Sequence, residues 1–232
     1  MSTLTYARRR AQLETYFDRT AAQAWARMTS DAPLGSIRAT VRAGRERMRA
    51  TLLSWLPDDL GGRRLFDAGC GTGALALEAA RRGAEVIAVD LSPTLIALAR
   101  DRCRDAGPGR VDFVVGDMLD PAFGSFDHVV AMDSLIHYRA PDMAAAVGAL
   151  AARASGSVLF TVAPRTPLLT VMHTVGRLFP RGSRAPAIEP VASAGLVHLL
   201  AEQPALAGWQ LGRSARVDSG FYISEAEELV PA

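Results

Sequence analysis

The residues Leu65-Phe66-Asp67-Ala68-Gly69-Cys70-Gly71-Thr72-Gly73 decide how this chain folds. Apolar residues at 64–68 predict a short buried strand, and the glycines predict a tight loop that opens into a helix at 74–82. Free N–H groups at the start of that helix can bind a ligand that approaches the glycines closely. Pyrophosphate-binding loops have the spacing G-x-G-x-x-G, whereas the spacing here is G-x-G-x-G after an aspartate. Asp67 would repel a phosphate and attract a cationic group.

Alternating strands and helices follow this glycine loop. Further strands are predicted at 85–90, 111–115, 126–132 and 157–162, with helices at 93–104 and 142–152. Such alternation predicts an α/β fold with a doubly wound, mostly parallel sheet. Two strands near the C-terminus, at about 209–217 and 221–225, are predicted to form a closing antiparallel hairpin at the sheet edge.

Residues 1–60 are predicted to form an N-terminal helical lid outside this core, which would occupy residues 61–232. Apolar side chains at three- and four-residue spacings predict two helices before residue 60, separated by a break at 31–35. Within the core, an apolar insert is expected at about 163–190. The chain is therefore predicted to be one α/β domain with an N-terminal helical lid.

Composition excludes several classes of function. The net charge of +2 is too small to indicate a nucleic-acid partner. All basic residues are arginines, so no Schiff-base lysine and no phosphate-loop lysine is available. No apolar run reaches the roughly 18 residues of a membrane span, and no secretory signal is recognisable. Cys70 and Cys103 form neither a disulfide framework nor a metal-ligand pattern, which predicts a cytoplasmic protein.

Two more acidic residues end predicted strands. Asp90 ends the second strand, where a carboxylate can accept hydrogen bonds from ribose hydroxyls. Asp117 follows the third strand, where it could accept the amino group of an adenine while Met118 packs on the ring. The carboxyl ends of parallel strands meet beside one crevice. Alone, Asp67 could cap a turn and Met118 could belong to the core, but together these residues favour a nucleoside site.

The segments D-A-G-C-G-T-G at 67–73, V-D-L-S at 89–92 and G-D-M at 116–118 resemble class I S-adenosylmethionine-dependent methyltransferases. The resemblance implies a Rossmann-like fold that binds S-adenosyl-L-methionine. The residues predicted to bind this cofactor are Tyr16, Asp67, Gly69, Cys70, Gly71, Gly73, Asp90, Leu91, Ser92, Asp117, Met118 and Met132.

Four further segments resemble magnesium protoporphyrin O-methyltransferases. They are E-T-Y-F-D at 14–18 with Trp25, I-R-x-x-V-R-x-G-R at 37–45, D-S-L-I-H-Y at 133–138, and A-P-R-T-P at 163–167 leading to L-F-P at 178–180. Two features depart from the family pattern: Thr29 stands where relatives tend to have an aromatic residue, and residues 224–228 are unusually acidic.

This narrower resemblance implies methyl transfer to a propionate carboxylate of magnesium protoporphyrin IX, giving the monomethyl ester in chlorophyll or bacteriochlorophyll biosynthesis. It also implies the large porphyrin-binding subunit of magnesium chelatase as a candidate partner. Because this substrate is so apolar, the protein could also associate peripherally with the photosynthetic membrane. A propionate is already ionised at neutral pH, with a pKa near ~4.3 for the comparable glutamate, so the reaction needs no metal and no strong base. Positioning alone can supply roughly 7–11 kcal/mol.

His137 follows the fourth predicted strand and is the predicted catalytic residue. It could orient the propionate, act as a general base toward another acceptor, ligate the substrate's magnesium, or be structural. His128 and His198 are expected to be structural.

The residues predicted to bind substrate are Phe17, Trp25, Arg38, Arg42, Asp133 and His173. Asp133 also fits a turn cap, and His173 fits a core position equally well. The arginines, together with Arg45, could attract the second propionate or form a solvated helix face.

Other functions share some of these features. A small-molecule O- or N-methyltransferase of secondary metabolism would have the same core motifs and differ in the lid and insert. A nonenzymatic binding module on the same fold is disfavoured by the intact glycines and acids. The glycine spacing disfavours an NAD-dependent oxidoreductase, and the low net charge disfavours a nucleic-acid methyltransferase.

Overall fold

The computed structural model describes residues 4–20, 35–165 and 188–232. Seven strands form one sheet in the order β3-β2-β1-β4-β5-β7-β6. Their bounds are β1 Arg64–Ala68, β2 Glu85–Asp90, β3 Arg110–Val115, β4 Phe126–Ala131, β5 Ala154–Val162, β6 Trp209–Ser219 and β7 Tyr222–Pro231. Strands β1 to β5 are parallel, whereas β7 pairs antiparallel with both β5 and β6. The predicted doubly wound sheet with a closing hairpin is confirmed.

Six α-helices lie in the described part of the chain: α1 Leu4–Thr15, α2 Ser36–Ser54, α3 Ala74–Arg81, α4 Pro93–Arg102, α5 Ala140–Ala151 and α6 Ser193–Ala201. A π-helical turn, Tyr16–Thr20, extends α1. None of the helices described is long and apolar enough to cross a membrane. Most of the predicted insert, residues 166–187, lies outside the described residues, and Pro164 and Val191 on either side of it form a parallel bridge.

Strand β1 is buried on both faces because helices cover both sides of the sheet. Leu65 belongs to a core cluster with α2, α3 and α4, and Phe66 belongs to a second cluster with α5 and α6. Both side chains have no exposed surface. A strand covered on two sides reads as a continuous apolar run, which is why the sequence predicted its bounds.

The two N-terminal helices pack in different places. Helix α2 packs on the face of the β6–β7 hairpin and against α3, with Met48 and Leu52 fully buried. It lies so close to β7 that a Cβ atom at Gly44 would come within 2.5 Å of the Tyr222 ring. Helix α1 instead crosses the carboxyl ends of β3 and β4, where Tyr6 and Leu13 join the other core cluster. Helix α1 thus lies across the sheet edge, whereas α2 packs mainly on the sheet face.

The second hairpin strand is longer than the sequence predicted. Strand β7 continues to Pro231 and so includes Glu225, Glu227 and Glu228. Glu228 is accommodated because Arg213 on β6 donates from its Nε to Glu228 Oε2 at 2.7 Å, and the backbone N of Arg213 donates to the same oxygen at 3.0 Å. The acidic run therefore belongs to the sheet.

Candidate active site

A cavity of about 310 Å³ opens at the carboxyl edge of the sheet. Its walls come from the glycine loop, from the loops that follow β2, β3 and β4, and from helices α1 and α2. The predicted site residues that line it are Phe17, Arg42, Asp67, Gly69, Cys70, Gly71, Asp90, Leu91, Asp117, Met118, Met132, Asp133 and His137. The topology thus brings most of the predicted residues together.

The three glycines of the loop serve different purposes, although all have positive φ. A Cβ atom at Gly69 would lie 2.3 Å from the Cβ of Ser134, and one at Gly73 would lie 2.7 Å from the Phe113 ring. A Cβ atom at Gly71 would meet nothing within 4 Å, because this residue faces the open cavity. Gly69 and Gly73 are thus required for packing, and Gly71 leaves room for a ligand.

Asp67 is a buried carboxylate with unused hydrogen-bonding capacity. Its side chain has no hydrogen-bond partner for Oδ2 among the described residues. Burial, helped by the charge of Asp90, raises its pKa to about 7, although a hydrogen bond from the backbone of Ala76 opposes the shift. A buried acceptor without a partner is costly. The site therefore fits a cationic ligand group, such as the α-ammonium of S-adenosylmethionine.

Asp90 joins the glycine loop to the start of α4. Its Oδ2 accepts from the Gly71 N at 2.9 Å, and its Oδ1 accepts from the Ser92 N at 2.9 Å. Burial raises the pKa of Asp90, while these backbone donors favour the charged form. Each carboxylate oxygen has a second lone pair, so Asp90 can still accept hydroxyl groups from a ribose.

Asp117 is held by the N-terminal helix. Its Oδ1 accepts from the Tyr6 hydroxyl at 2.8 Å and from the Leu119 N at 3.0 Å, and its Oδ2 accepts from Arg10 Nη1 at 2.8 Å. Burial raises the pKa of Tyr6, which keeps its hydroxyl a donor. Met118, the next residue, also lines the cavity, and its apolar side chain could pack on an adenine ring.

His137 also lines the cavity, from the 3-10 turn Leu135–His137 that follows β4. The residue is 9% exposed, and its ring centroid is 5.7 Å from that of Phe17. The backbone carbonyl of His137 accepts from Arg9 Nε at 2.7 Å. The imidazole and the aromatic ring can therefore contact one acceptor from adjacent positions.

The carboxylate of Asp133 is used within the protein. It accepts from Arg45 Nη1 at 2.7 Å, from the Tyr222 hydroxyl at 3.0 Å and from Thr161 Oγ1 at 3.2 Å. Its φ of 53° is the one positive value at a non-glycine residue in the part of the chain that the structure describes. Asp133 thus fits the turn role that the sequence left open, and its carboxylate anchors Arg45 at the cavity wall.

Four predicted residues lie outside the lining. Tyr16 packs edge-on against Phe17 with ring centroids 5.2 Å apart, and Gly73 lies behind the loop. Ser92 caps α4 by accepting from the Leu95 N at 3.2 Å. Arg38 is exposed. Trp25 and His173 fall outside the described residues.

Histidines predicted to be structural are placed away from the cavity. His128 Nδ1 lies 2.9 Å from Ser157 Oγ between β4 and β5. His198 on α6 is exposed, and its Nε2 lies 3.2 Å from a carboxylate oxygen of Glu202, the residue that follows the helix.

Sequence reasoning missed several lining residues. Tyr6 and Tyr138 stack with ring centroids 4.7 Å apart, and no local pattern links residues so far apart in the chain. Arg49 was also missed, and it lines the cavity with Arg42 and with Arg45, which the sequence had already suggested as a group that attracts the second propionate. Their spacing of three and four residues places these arginines on one face of a helix, a signal that could have identified them.

Comparison with known proteins identifies the family. The family model described as magnesium-protoporphyrin IX methyltransferase C-terminus matches residues 131–231, and a general methyltransferase-domain model matches residues 65–154. A magnesium-protoporphyrin O-methyltransferase of Rhodobacter capsulatus is 51% identical over 227 residues, covering 97% of this chain and 98% of the relative. The chain belongs to the magnesium-protoporphyrin O-methyltransferase family.

Other members of this family are also similar along most of their length. The magnesium-protoporphyrin O-methyltransferase of Synechocystis sp. is 28% identical, covering 93% of both chains. The crystal structure of magnesium protoporphyrin IX methyltransferase from Synechocystis PCC 6803 with bound SAH has a TM-score of 0.83 at 26% identity, covering 96% of this chain and 99% of that chain. In contrast, a ubiquinone biosynthesis O-methyltransferase of Xanthomonas euvesicatoria matches only 54% of this chain, at 37% identity.

Proposed function

We propose that this chain transfers a methyl group from S-adenosylmethionine to a propionate carboxylate of magnesium protoporphyrin IX. The product would be the monomethyl ester, an intermediate of chlorophyll or bacteriochlorophyll biosynthesis. The observation that carries this proposal is the similarity to the Rhodobacter capsulatus enzyme over nearly the whole chain. Similarity restricted to the common core would leave the acceptor open, since the core binds only the cofactor.

Each of three acidic residues in the cavity would bind a different part of the cofactor. Asp67 would accept the α-ammonium, because its Oδ2 is buried without a partner among the described residues. Asp90 would accept the ribose hydroxyls, and Asp117 the adenine amino group. Gly71 would let the ligand approach the loop, because its α-carbon faces the cavity.

When bound, S-adenosylmethionine supplies an electrophilic sulfonium methyl group. The residues of this chain have to hold the acceptor carboxylate in line with it and exclude water, which is the main source of rate enhancement for an ionised nucleophile. His137 would donate a hydrogen bond to the carboxylate, and Phe17 would contact the flat macrocycle beside it. Trp25 and His173 stay predicted contacts of the substrate.

The test is methylation of magnesium protoporphyrin IX by the purified protein with isotopically labelled S-adenosylmethionine. Mass spectrometry should detect one added methyl group, and alkaline hydrolysis should release it as expected for an ester. A catechol and a small amine serve as competing acceptors. Labelling of either of these in place of the porphyrin would favour a small-molecule methyltransferase, and cofactor binding without any transfer would favour a binding module.

We also propose that the protein receives its substrate from the large porphyrin-binding subunit of magnesium chelatase, in the cytoplasm or at the surface of the photosynthetic membrane. The family resemblance and the apolar character of the porphyrin support this, because free transfer through water would be slow. Co-purification of the two proteins, with and without magnesium protoporphyrin, tests the proposal. Equal recovery of the chelatase subunit on a resin without this protein would contradict it.

A further inference from the structure

Three consecutive arginines of α1 have three different environments. Arg8 is exposed to solvent. Arg9 donates from Nε to the backbone carbonyl of His137 at 2.7 Å, and Arg10 donates from Nη1 to Asp117 Oδ2 at 2.8 Å. Successive side chains on an α-helix are about 100° apart, so neighbouring residues reach different partners. One turn of helix therefore contacts two separate parts of the cavity wall, the His137 turn and Asp117.

At the acceptor end, Arg9 closes a ring of hydrogen bonds around the turn that bears His137. Its Nη2 donates to Glu189 Oε1 at 2.9 Å, and the Glu189 N donates to the carbonyl of Ile136 at 2.8 Å. The Arg9 side chain is only 22% exposed, which favours charge-assisted bonds of good strength. The backbone of the turn that bears His137 is thus held by Arg9 at one carbonyl and by Glu189 at the preceding one.

At the cofactor end, Arg10 and Tyr6 fix the carboxylate of Asp117. Arg10 holds one oxygen and Tyr6 holds the other, so the carboxylate plane is defined by two donors from one helix. The Nε of Arg10 is buried without a hydrogen-bond partner in the described ranges. The Arg10 side chain as a whole is 39% exposed, and its contact with Asp117 is the charge-assisted bond that orients the guanidinium.

We propose that α1 positions the two ends of the active site separately, Arg9 acting on His137 and Arg10 acting on Asp117. Neither arginine belongs to the cavity lining, so each is a positioning residue that works through its partner. The Arg9 half rests on the proposed function, because its effect is measured on porphyrin methylation. The Arg10 half requires only cofactor binding and can be tested without an acceptor.

The test compares Arg9→Ala and Arg10→Ala with Arg8→Ala as the matched control on the same helix. For each variant, kcat and KM for magnesium protoporphyrin are measured at saturating cofactor, and the Kd for S-adenosylhomocysteine is measured by calorimetry. Arg9→Ala should lower kcat by about 10- to 100-fold, as expected for a misplaced reacting group, with the Kd unchanged. Arg10→Ala should raise the Kd by about tenfold, as for a lost hydrogen bond to a charged group, and should largely spare kcat. Arg8→Ala should change neither.

Conservative variants separate positioning from folding. Arg9→Lys and Arg10→Lys retain the charge and one donor direction. Arg9→Lys should therefore restore part of the kcat that Arg9→Ala loses, and Arg10→Lys should restore part of the cofactor affinity that Arg10→Ala loses. Thermal melting of every variant reports folding independently. Parallel losses of kcat and affinity in both alanine variants, in proportion to the loss of thermal stability, would overturn the proposal. So would an unchanged kcat in Arg9→Ala together with an unchanged Kd in Arg10→Ala.

The proposed function and this inference fail in different ways. If the parent protein binds S-adenosylhomocysteine but does not methylate the porphyrin, the proposed acceptor and the Arg9 half are wrong. A selective loss of affinity in Arg10→Ala would then still support the cofactor half.

Discussion

Gly71 is the residue at which ligand binding and stability separate most clearly. Its α-carbon faces the cavity, whereas Gly73 packs on Phe113. Gly71→Ala should lower the free energy of unfolding by only about 1–2 kcal/mol, the cost of a left-handed alanine, but should strongly weaken S-adenosylhomocysteine binding. Gly73→Ala adds a steric clash and should cost about 2–4 kcal/mol of stability. Urea unfolding and calorimetry on both variants would check this, and equal stability losses would contradict the assignment.

The buried carboxyl of Asp67 predicts proton release when the cofactor binds. Its pKa of about 7 in the folded chain lies above the value in the unfolded chain, so its stabilising contribution is present at low pH and is lost as the pH rises through about 7. A cationic ligand requires the ionised form. Binding of S-adenosylmethionine at about pH 6.5 should therefore release a proton, and the release should fade at higher pH.

Calorimetry in buffers of different ionisation enthalpy measures this proton release. Asp67→Asn has no titrating carboxyl at this position and should show a smaller release along with weaker binding. Asp90, whose pKa is also raised by burial, remains in that variant and reports its own share. An undiminished release in Asp67→Asn would show that another group titrates.

His137 can be tested against a histidine of the neighbouring strand. If its imidazole orients the propionate, His137→Ala should lower kcat by about 100-fold and change KM less. If it ligates magnesium, the variant should instead lose affinity for magnesium protoporphyrin but keep affinity for metal-free protoporphyrin. His128→Ala, which removes a contact with Ser157 away from the cavity, should lower thermal stability and leave kcat near normal.

At the scale of elements, strand β7 contains two glutamates whose contributions to stability change with pH in opposite directions. Burial, helped by Glu225, raises the pKa of Glu227 to about 7, whereas the hydrogen bond from Arg213 lowers that of Glu228. Glu227 therefore destabilises the fold as the pH rises through about 7. Glu228 stabilises it above the pKa of the unfolded chain, and this contribution is lost as the pH falls through its lower folded value.

Two variants of β7 test this contrast. Glu227→Gln should be more stable than the parent at about pH 8, by roughly 1–3 kcal/mol, and gain little at about pH 5. Glu228→Gln should be less stable than the parent at about pH 8, because Arg213 loses its charged partner. Urea midpoints at both pH values measure the effects. A gain for Glu227→Gln that is equal at both pH values would contradict the raised pKa.

At the scale of the whole molecule, α1 links Asp117 and the His137 turn to other parts of the chain. Thr5 donates to Asp142 of α5 at 2.8 Å, and Thr94 at the start of α4 donates to Asp18 at 2.7 Å. Helix α2 is instead built into the face of the sheet. The division of the chain at residue 60 stays a prediction, although the two helices differ in what they cover.

Deletion of residues 1–20 should therefore remove the cover and leave the sheet folded. S-adenosylhomocysteine should bind more weakly than in Arg10→Ala, by more than about tenfold, because Asp117 loses both of its helix donors. Porphyrin methylation should be abolished, because the cavity opens to water and the His137 turn loses Arg9. Far-UV circular dichroism reports the fold, and deletion of residues 1–3 alone serves as control. Full activity of the longer deletion would show that α1 has no role in the site.

The sequence alone determined the fold class and placed three acids at the cavity. Hydrophobic period, glycine spacing and the position of a residue at a strand end are local properties, and the rules for parallel sheets convert them into a common edge. For this reason Asp67, Asp90 and Asp117 were predicted at one cavity, with β1 and β2 at the observed bounds.

Only the tertiary structure decided which side chains hold the groups of that cavity in place. Tyr6, Arg9 and Arg10 meet partners more than 100 residues away, and the angle at which α1 docks selects those partners. The same holds for Asp133, whose carboxylate turns toward Arg45 and Tyr222 and is enclosed by the protein. A local pattern states which face of a helix is apolar, but the partner of a polar side chain depends on packing between distant elements. That is why the acids of the site were predictable and the groups that hold them were not.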